Sequence, residues 1–138
     1  MTKEIKFDNY LRDKEITFFD KFAYEDGGAA YRSNYTISGN NILFIISMDD
    51  SVYTILQCRL MKLNNPAKRE KMLYLLNQLN SHYKANKFVL TDDDNIDFSV
   101  PFIAIEEDFN PEILMLLTHS ILEGLEEDYA KIMRVIWS

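Results

Sequence analysis

Asp92-Asp93-Asp94-Asn95-Ile96-Asp97 concentrates more oxygen ligands than any other stretch of this chain. Asp93, Asn95 and Asp97 have the alternate spacing with which a calcium loop presents its first ligands. The match then fails. Phe98 stands where such a loop needs a glycine for its sharp turn, and Ala104 where it needs a distal bidentate glutamate. The run therefore reads as an acidic hairpin turn. His82 and His119 are the only histidines, and neither has a His or Cys partner at a metal-ligand spacing. Cys58 lies between Leu56 and Leu60 at strand spacing, which suits a buried structural thiol better than a nucleophile with an adjacent base. No Gly-x-Ser-x-Gly elbow is present, and Gly27-Gly28 lacks the lysine and helix of a phosphate loop. These residues predict no catalytic centre, no cofactor and no metal.

Two further groups suit binding. Asn77 and Asn80 sit three apart, on one face of an expected helix. Asparagine disfavours helix interiors, so two so close imply specific hydrogen bonds. They either tie the helix to a neighbouring segment or recognise an extended partner backbone. Glu106-Glu107-Asp108 and the set Glu123, Glu126, Glu127 and Asp128 are either solvated ends or the selector of a basic partner.

The elements that must position these residues follow from periodicity and punctuation. Asn65-Pro66 and Asn110-Pro111 are matching helix starts: Asn accepts from an orphan N–H, and Pro fits the first turn. The first opens an amphipathic helix to about Lys84, with Met72, Leu75, Leu76, Leu79 and Tyr83 on one side. The second opens a helix whose run Ile113–Leu117 is apolar nearly all round and needs burial on more than one side. Gly124 predicts a break, Glu126-Glu127-Asp128 a new start, and Ile132, Met133, Ile136 and Trp137 a return to the core.

Upstream, Phe7–Glu15 reads as a short helix anchored by Tyr10 and Leu11. Ile16, Phe18 and Phe22 have strand spacing, and Gly27-Gly28 allows a reversal. Tyr31, Ser33, Tyr35 and Ile37 alternate with polar residues, and Ser38-Gly39-Asn40-Asn41 turns the chain into Ile42–Met48. After Asp49-Asp50-Ser51 comes a long strand, Val52–Met61. Phe88 and Leu90, then Ile96, Phe98 and Val100, form a later hairpin. The order is α-β-β-β-β-α-β-β-α: an α+β fold in which an antiparallel sheet packs its helices on one face. The central strands remain apolar on their second face, through Leu43 and Ile45 with Tyr53 and Ile55. Either the N-terminal segment or another chain must cover it.

Composition sets the outer bounds. The 138 residues predict a single domain spanning 1–138, with 47% hydrophobic and 27% charged residues near globular averages. A net charge of -7 and a pI of about 4.8 disfavour nucleic acid and anionic membranes as partners. One cysteine allows no intrachain disulfide, and the start Met1-Thr2-Lys3-Glu4-Ile5-Lys6 has no signal-like apolar run. No apolar run approaches the roughly 20 residues of a membrane span. A cytoplasmic protein is the simplest expectation.

The stretch Lys68-Arg69-Glu70-Lys71-Met72-Leu73-Tyr74-Leu75-Leu76-Asn77-Gln78-Leu79-Asn80 resembles the YbjN-like proteins, putative sensory transduction regulators of bacteria. The resemblance continues through Phe88-Val89-Leu90, Asp92–Asp97, Phe109-Asn110-Pro111-Glu112-Ile113-Leu114 and Tyr129–Trp137, and covers roughly Gly39 to Trp137. It implies a fold like that of type III secretion chaperones, which are small, acidic, often dimeric, and bind protein segments. It brings no catalytic residues with it. The sequence thus predicts a non-enzymatic regulator or chaperone-like module that binds a protein partner and forms a homodimer. Leu43, Ile45, Tyr53, Ile55, Asn77 and Asn80 are its candidate binding residues. A small-molecule sensor or unrecognised enzyme would instead need a deep pocket placing His82 or His119 beside clustered carboxylates. An immunity-type or structural subunit would use the acidic surface to block a basic partner.

Overall fold

A computed structural model describes all residues, Met1–Ser138. Thr2 caps the first helix, α1 (Lys3–Asp13), by accepting from the Ile5 N–H. Four strands follow: β1 (Asp20–Ala23), β2 (Ala29–Ile37), β3 (Asn40–Met48) and β4 (Tyr53–Lys62). A short 3₁₀ turn, Pro66–Lys68, leads into α2 (Arg69–Asn80). The hairpin β5 (Lys87–Leu90) and β6 (Asn95–Ile103) and a second 3₁₀ turn, Glu106–Asp108, precede α3 (Pro111–Ile136). All strands pair antiparallel in one sheet, in the order β1-β2-β3-β4-β6-β5.

The turns are short because their residues accept unusual backbone angles. Ser38 and Gly39 both have positive φ, as in primed hairpin turns, so Asn40 and Asn41 already belong to β3. Gly28 has φ +87, and a Cβ there would stand 2.2 Å from the Met48 carbonyl oxygen, so only glycine fits. Asp49 closes the β3–β4 turn by accepting from the Ser51 N–H and hydroxyl.

Strand parity decides the layers. Tyr31 faces Ile46, which faces Leu56, which faces Val100; Phe44 faces Cys58, which faces Phe98 and then Phe88. All of these are buried in one cluster with Phe7 of α1, Met72, Leu76 and Leu79 of α2, and Leu125, Tyr129 and Ile132 of α3. The Phe7 ring meets Tyr31 edge-on at 4.7 Å. All three helices therefore lie on the same face of the sheet.

The α+β order agrees with the sequence reading, but five local expectations change. α1 begins at Lys3, and its buried anchor is Phe7, with Tyr10 and Leu11 only partly covered. β1 is shorter than expected, and Phe18 and Phe22 are exposed while Phe19 packs on the core. Two consecutive phenylalanines leave strand parity ambiguous, and the ring contacts of Phe19 with Phe7, Tyr31 and Phe44 settle it. α2 stops at Asn80 rather than near Lys84. α3 runs unbroken through Gly124, which sits on the exposed side with open space around it. A glycine cost of about 1 kcal/mol cannot break a helix anchored by Leu122, Leu125 and Tyr129. Trp137 does not return to the core; it is 74% exposed.

Two residues that carried no sequence signal fasten α1 in place. Lys3 is buried, and its ammonium donates to the Tyr53 carbonyl at 2.7 Å and the Thr54 hydroxyl at 3.2 Å. Burial lowers its pKa below 10.5, against the opposing pull of Asp49, Glu106 and Asp50. Asp8 accepts from the Tyr31 hydroxyl at 2.6 Å and pairs with Lys21 at 2.7 Å. Burial, then that hydrogen bond, raises the Tyr31 pKa. The neutral phenol is thus favoured in the folded chain. Its contribution is complete below the ordinary tyrosine value of 10.0 and falls as pH rises beyond it. Denaturant midpoints measured against pH should hold up to about pH 10 and then drop. Tyr31→Phe should cost about 1 kcal/mol at neutral pH and make the alkaline drop shallower.

Candidate functional site

The open face of the sheet collects four of the six candidate residues. Leu43 and Ile45 on β3 and Tyr53 and Ile55 on β4 have the parity opposite to the core. Leu43, Ile45 and Ile55 are half-buried, and Tyr53 is exposed. Ile45 lies across from Gln57, and Ile55 across from Ser47, so aliphatic and polar side chains alternate across the strands. The register adds residues that the sequence reading left without a face or passed over. Phe22 stacks against the Arg32 guanidinium at 4.9 Å, and the Tyr24 hydroxyl meets Ser47 at 3.3 Å. Val89 and Ile103 extend the same face on β5 and β6. The missed signal was the parity of β1: once Phe19 is inside, Phe22 must be outside.

Charge on this face is mixed, and one ion pair closes within the chain. Arg59 grips Asp97 with two hydrogen bonds, at 2.9 and 3.0 Å. The pair walls a depression of about 230 Å³ floored by Leu43 and Ile45. A second depression, of about 520 Å³, runs from Tyr53 and Ile55 towards Lys87 and Val89. Both are shallow and open. They suit contact with another surface better than enclosure of a small ligand.

Asn77 and Asn80 lie apart from this face, on α2. Asn77 is exposed. Asn80 holds the backbone of β5: its amide donates to the Phe88 carbonyl at 3.0 Å, and its oxygen accepts from the Phe88 N–H at 2.6 Å. β5 is a terminal strand of the sheet, so this side chain satisfies the groups that an added strand would otherwise pair with. Asn80 thus does recognise an extended backbone, and that backbone belongs to its own chain.

The remaining chemical candidates are also placed. Asp94 pairs with Arg69 at 2.5 Å, and Asp97 with Arg59, so two carboxylates of the acidic turn already have cationic partners. No three His, Cys, Asp or Glu side chains converge as metal ligands. Burial pushes the Cys58 thiol up to about 12. His119 is exposed and contacts Glu123 one helical turn away at 3.0 Å; His82 is exposed beyond the end of α2. Buried Asp128 accepts from the Tyr83 hydroxyl, so this member of the acidic set is structural. No helix is long and apolar enough to cross a membrane.

No protein-family model matches the chain, and no curated protein matches it.

Asn80→Ala leaves the Phe88 N–H and carbonyl without their partner. Urea denaturation should show a loss of about 1–3 kcal/mol. Light scattering of the folded variant should rise with concentration as the uncovered edge of β5 pairs between chains.

Proposed function

We propose that this protein is a non-enzymatic protein-binding module that works through the open face of its sheet, and that its first partner is a second copy of itself. One observation carries the reading: every helix packs on the same sheet face, and the opposite face keeps Leu43, Ile45 and Ile55 without an intrachain cover. Phe22, Tyr24, Tyr53, Val89 and Ile103 widen that face, and all five are exposed. An exposed face that mixes apolar with polar side chains is the usual form of a non-obligate protein contact. The mixed charge favours self-pairing. A two-fold contact sets a surface against itself, and the Arg59–Asp97 pairs of two copies can lie with opposite charges opposed.

In such a module the partner's side chains fill the two shallow depressions, and the Arg59–Asp97 pair supplies a fixed polar reference between them. A regulator or chaperone-like role, as the YbjN-like resemblance implies, is the biological form we propose for it. Turnover of a small substrate has less support. Both histidines are exposed, and Cys58 is buried with a raised pKa.

Size exclusion with light scattering tests the reading. The expected mass is twice the 16.2 kDa of one chain. Ile45→Glu with Ile55→Glu should return the mass to that of a single chain, with circular dichroism retaining the α+β signature and thermal unfolding lowered by the loss of association. A wild-type protein that stays single at every concentration would refute it.

A further inference from the structure

A second apolar surface lies at the start of α3 and borders the open sheet face at Ile103. It is a groove of about 340 Å³ between the end of β6 and the first turns of α3, floored by Phe102, Phe109 and Leu114. Ile113 and Leu117 form one wall and Ile103 the other. Ile113 is 53% exposed, Leu116 66%, Leu117 44% and Ile103 69%. The nearly all-round apolar run at Ile113–Leu117 is therefore covered on one side only.

The residues flanking the groove are mostly acidic, and Asp108 lines it. Glu106, Glu107 and Asp108 precede α3, and Glu112 lies in its first turn. No lysine or arginine occurs between Lys87 and Lys131. None of these four carboxylates takes part in an ion pair. The cation that reaches the rim, Lys6, donates to the Glu106 backbone carbonyl. A second copy of the chain is the wrong occupant, because a two-fold contact would set these carboxylates against their own equivalents. The rim must meet positive charge, and the floor must meet apolar side chains.

We infer that the α3 groove binds a basic amphipathic helical segment of another protein, with apolar anchors seated on Phe102, Leu114 and Leu117 and lysines or arginines facing Glu107, Asp108 and Glu112. Anchors three, four and seven residues apart present such a stripe from one helix face. The carboxylates speed encounter and fix direction, while the buried anchors hold the complex. The inference rests on reading the chain as a binding module, but its anchor positions on Phe102, Leu114 and Leu117 lie outside the face that pairs copies, and only Ile103 borders both.

The probe is a fluorescent synthetic helical peptide with leucines at those spacings and lysines elsewhere, followed by anisotropy against the full chain. Two controls accompany it: one replaces lysine with glutamate, the other replaces leucine with serine. The leucine–lysine peptide should saturate, and both controls should bind at least roughly tenfold more weakly. Leu117→Glu and the pair Glu107→Lys with Glu112→Lys should each weaken binding by a similar factor, with circular dichroism unchanged. Ile113→Glu, at a more exposed position of the same wall, replaces Leu117→Glu if that variant does not fold. The inference is overturned by equal binding of the serine control, by affinity indifferent to both sets of substitutions, or by absence of saturable binding. It is also overturned if Leu117→Glu separates paired copies, which would make the groove a contact between chains. A single-copy wild type that still binds the peptide would refute the sheet-face reading alone. A paired wild type that does not bind it would refute the groove alone.

Discussion

Side chains on a strand alternate between the two faces of a sheet, so each face must be covered separately. In this chain the helices cover one. The cause lies in the connections. From β1 to β4 the strands follow one another through tight turns at Gly27-Gly28, Ser38-Gly39 and Asp49–Ser51, none long enough to hold a helix. Helices enter only at the two ends of the chain and in the link from β4 to β5. All three are drawn to the face that presents Tyr31, Phe44, Ile46, Leu56 and Phe98. Lys3 and the Asp8–Tyr31 hydrogen bond hold α1 there, which removes the N-terminal segment as a cover for the other face.

Polar side chains close what apolar packing leaves open. Asn80 occupies the hydrogen-bonding edge of β5 at Phe88, and the Arg59–Asp97 and Arg69–Asp94 pairs hold the hairpin that carries β5 and β6. Every buried side-chain nitrogen and oxygen has a partner. The polar interior is therefore complete within one chain. What is unfinished is apolar, at the open sheet face and at the start of α3. The two surfaces differ in charge: one carries both signs, the other is mostly negative. That difference separates a surface suited to self-pairing from one suited to a basic partner.

The alternation in β2, β3, β4 and β6 was legible because each strand has one unambiguous apolar set; Asn110 caps α3 as its Asn-Pro pair predicts, whereas Asn65 caps the 3₁₀ turn and α2 itself starts later, at Arg69. Leu43, Ile45, Tyr53 and Ile55 were legible as surplus for the same reason. Local signals failed where a tertiary contact outweighs them. Phe18 and Phe19 are equivalent by propensity, and only the Phe7–Tyr31–Phe44 ring cluster chooses between them. Gly124 signals a break, yet the buried residues around it keep α3 whole. A buried Lys3 has no sequence signature, since its partners are backbone and hydroxyl groups some fifty positions away. Trp137 shows that size alone does not ensure burial.

Methyl NMR with a soluble paramagnetic probe, recorded across a dilution series, tests the open sheet face most directly. Leu43, Ile45 and Ile55 should be strongly broadened in dilute solution and become protected as concentration rises, while core methyls such as Ile46 and Ile96 stay protected throughout. Protection of Leu43, Ile45 and Ile55 at every dilution, with the protein a single chain, would mean that the chain covers this face itself and would contradict the account.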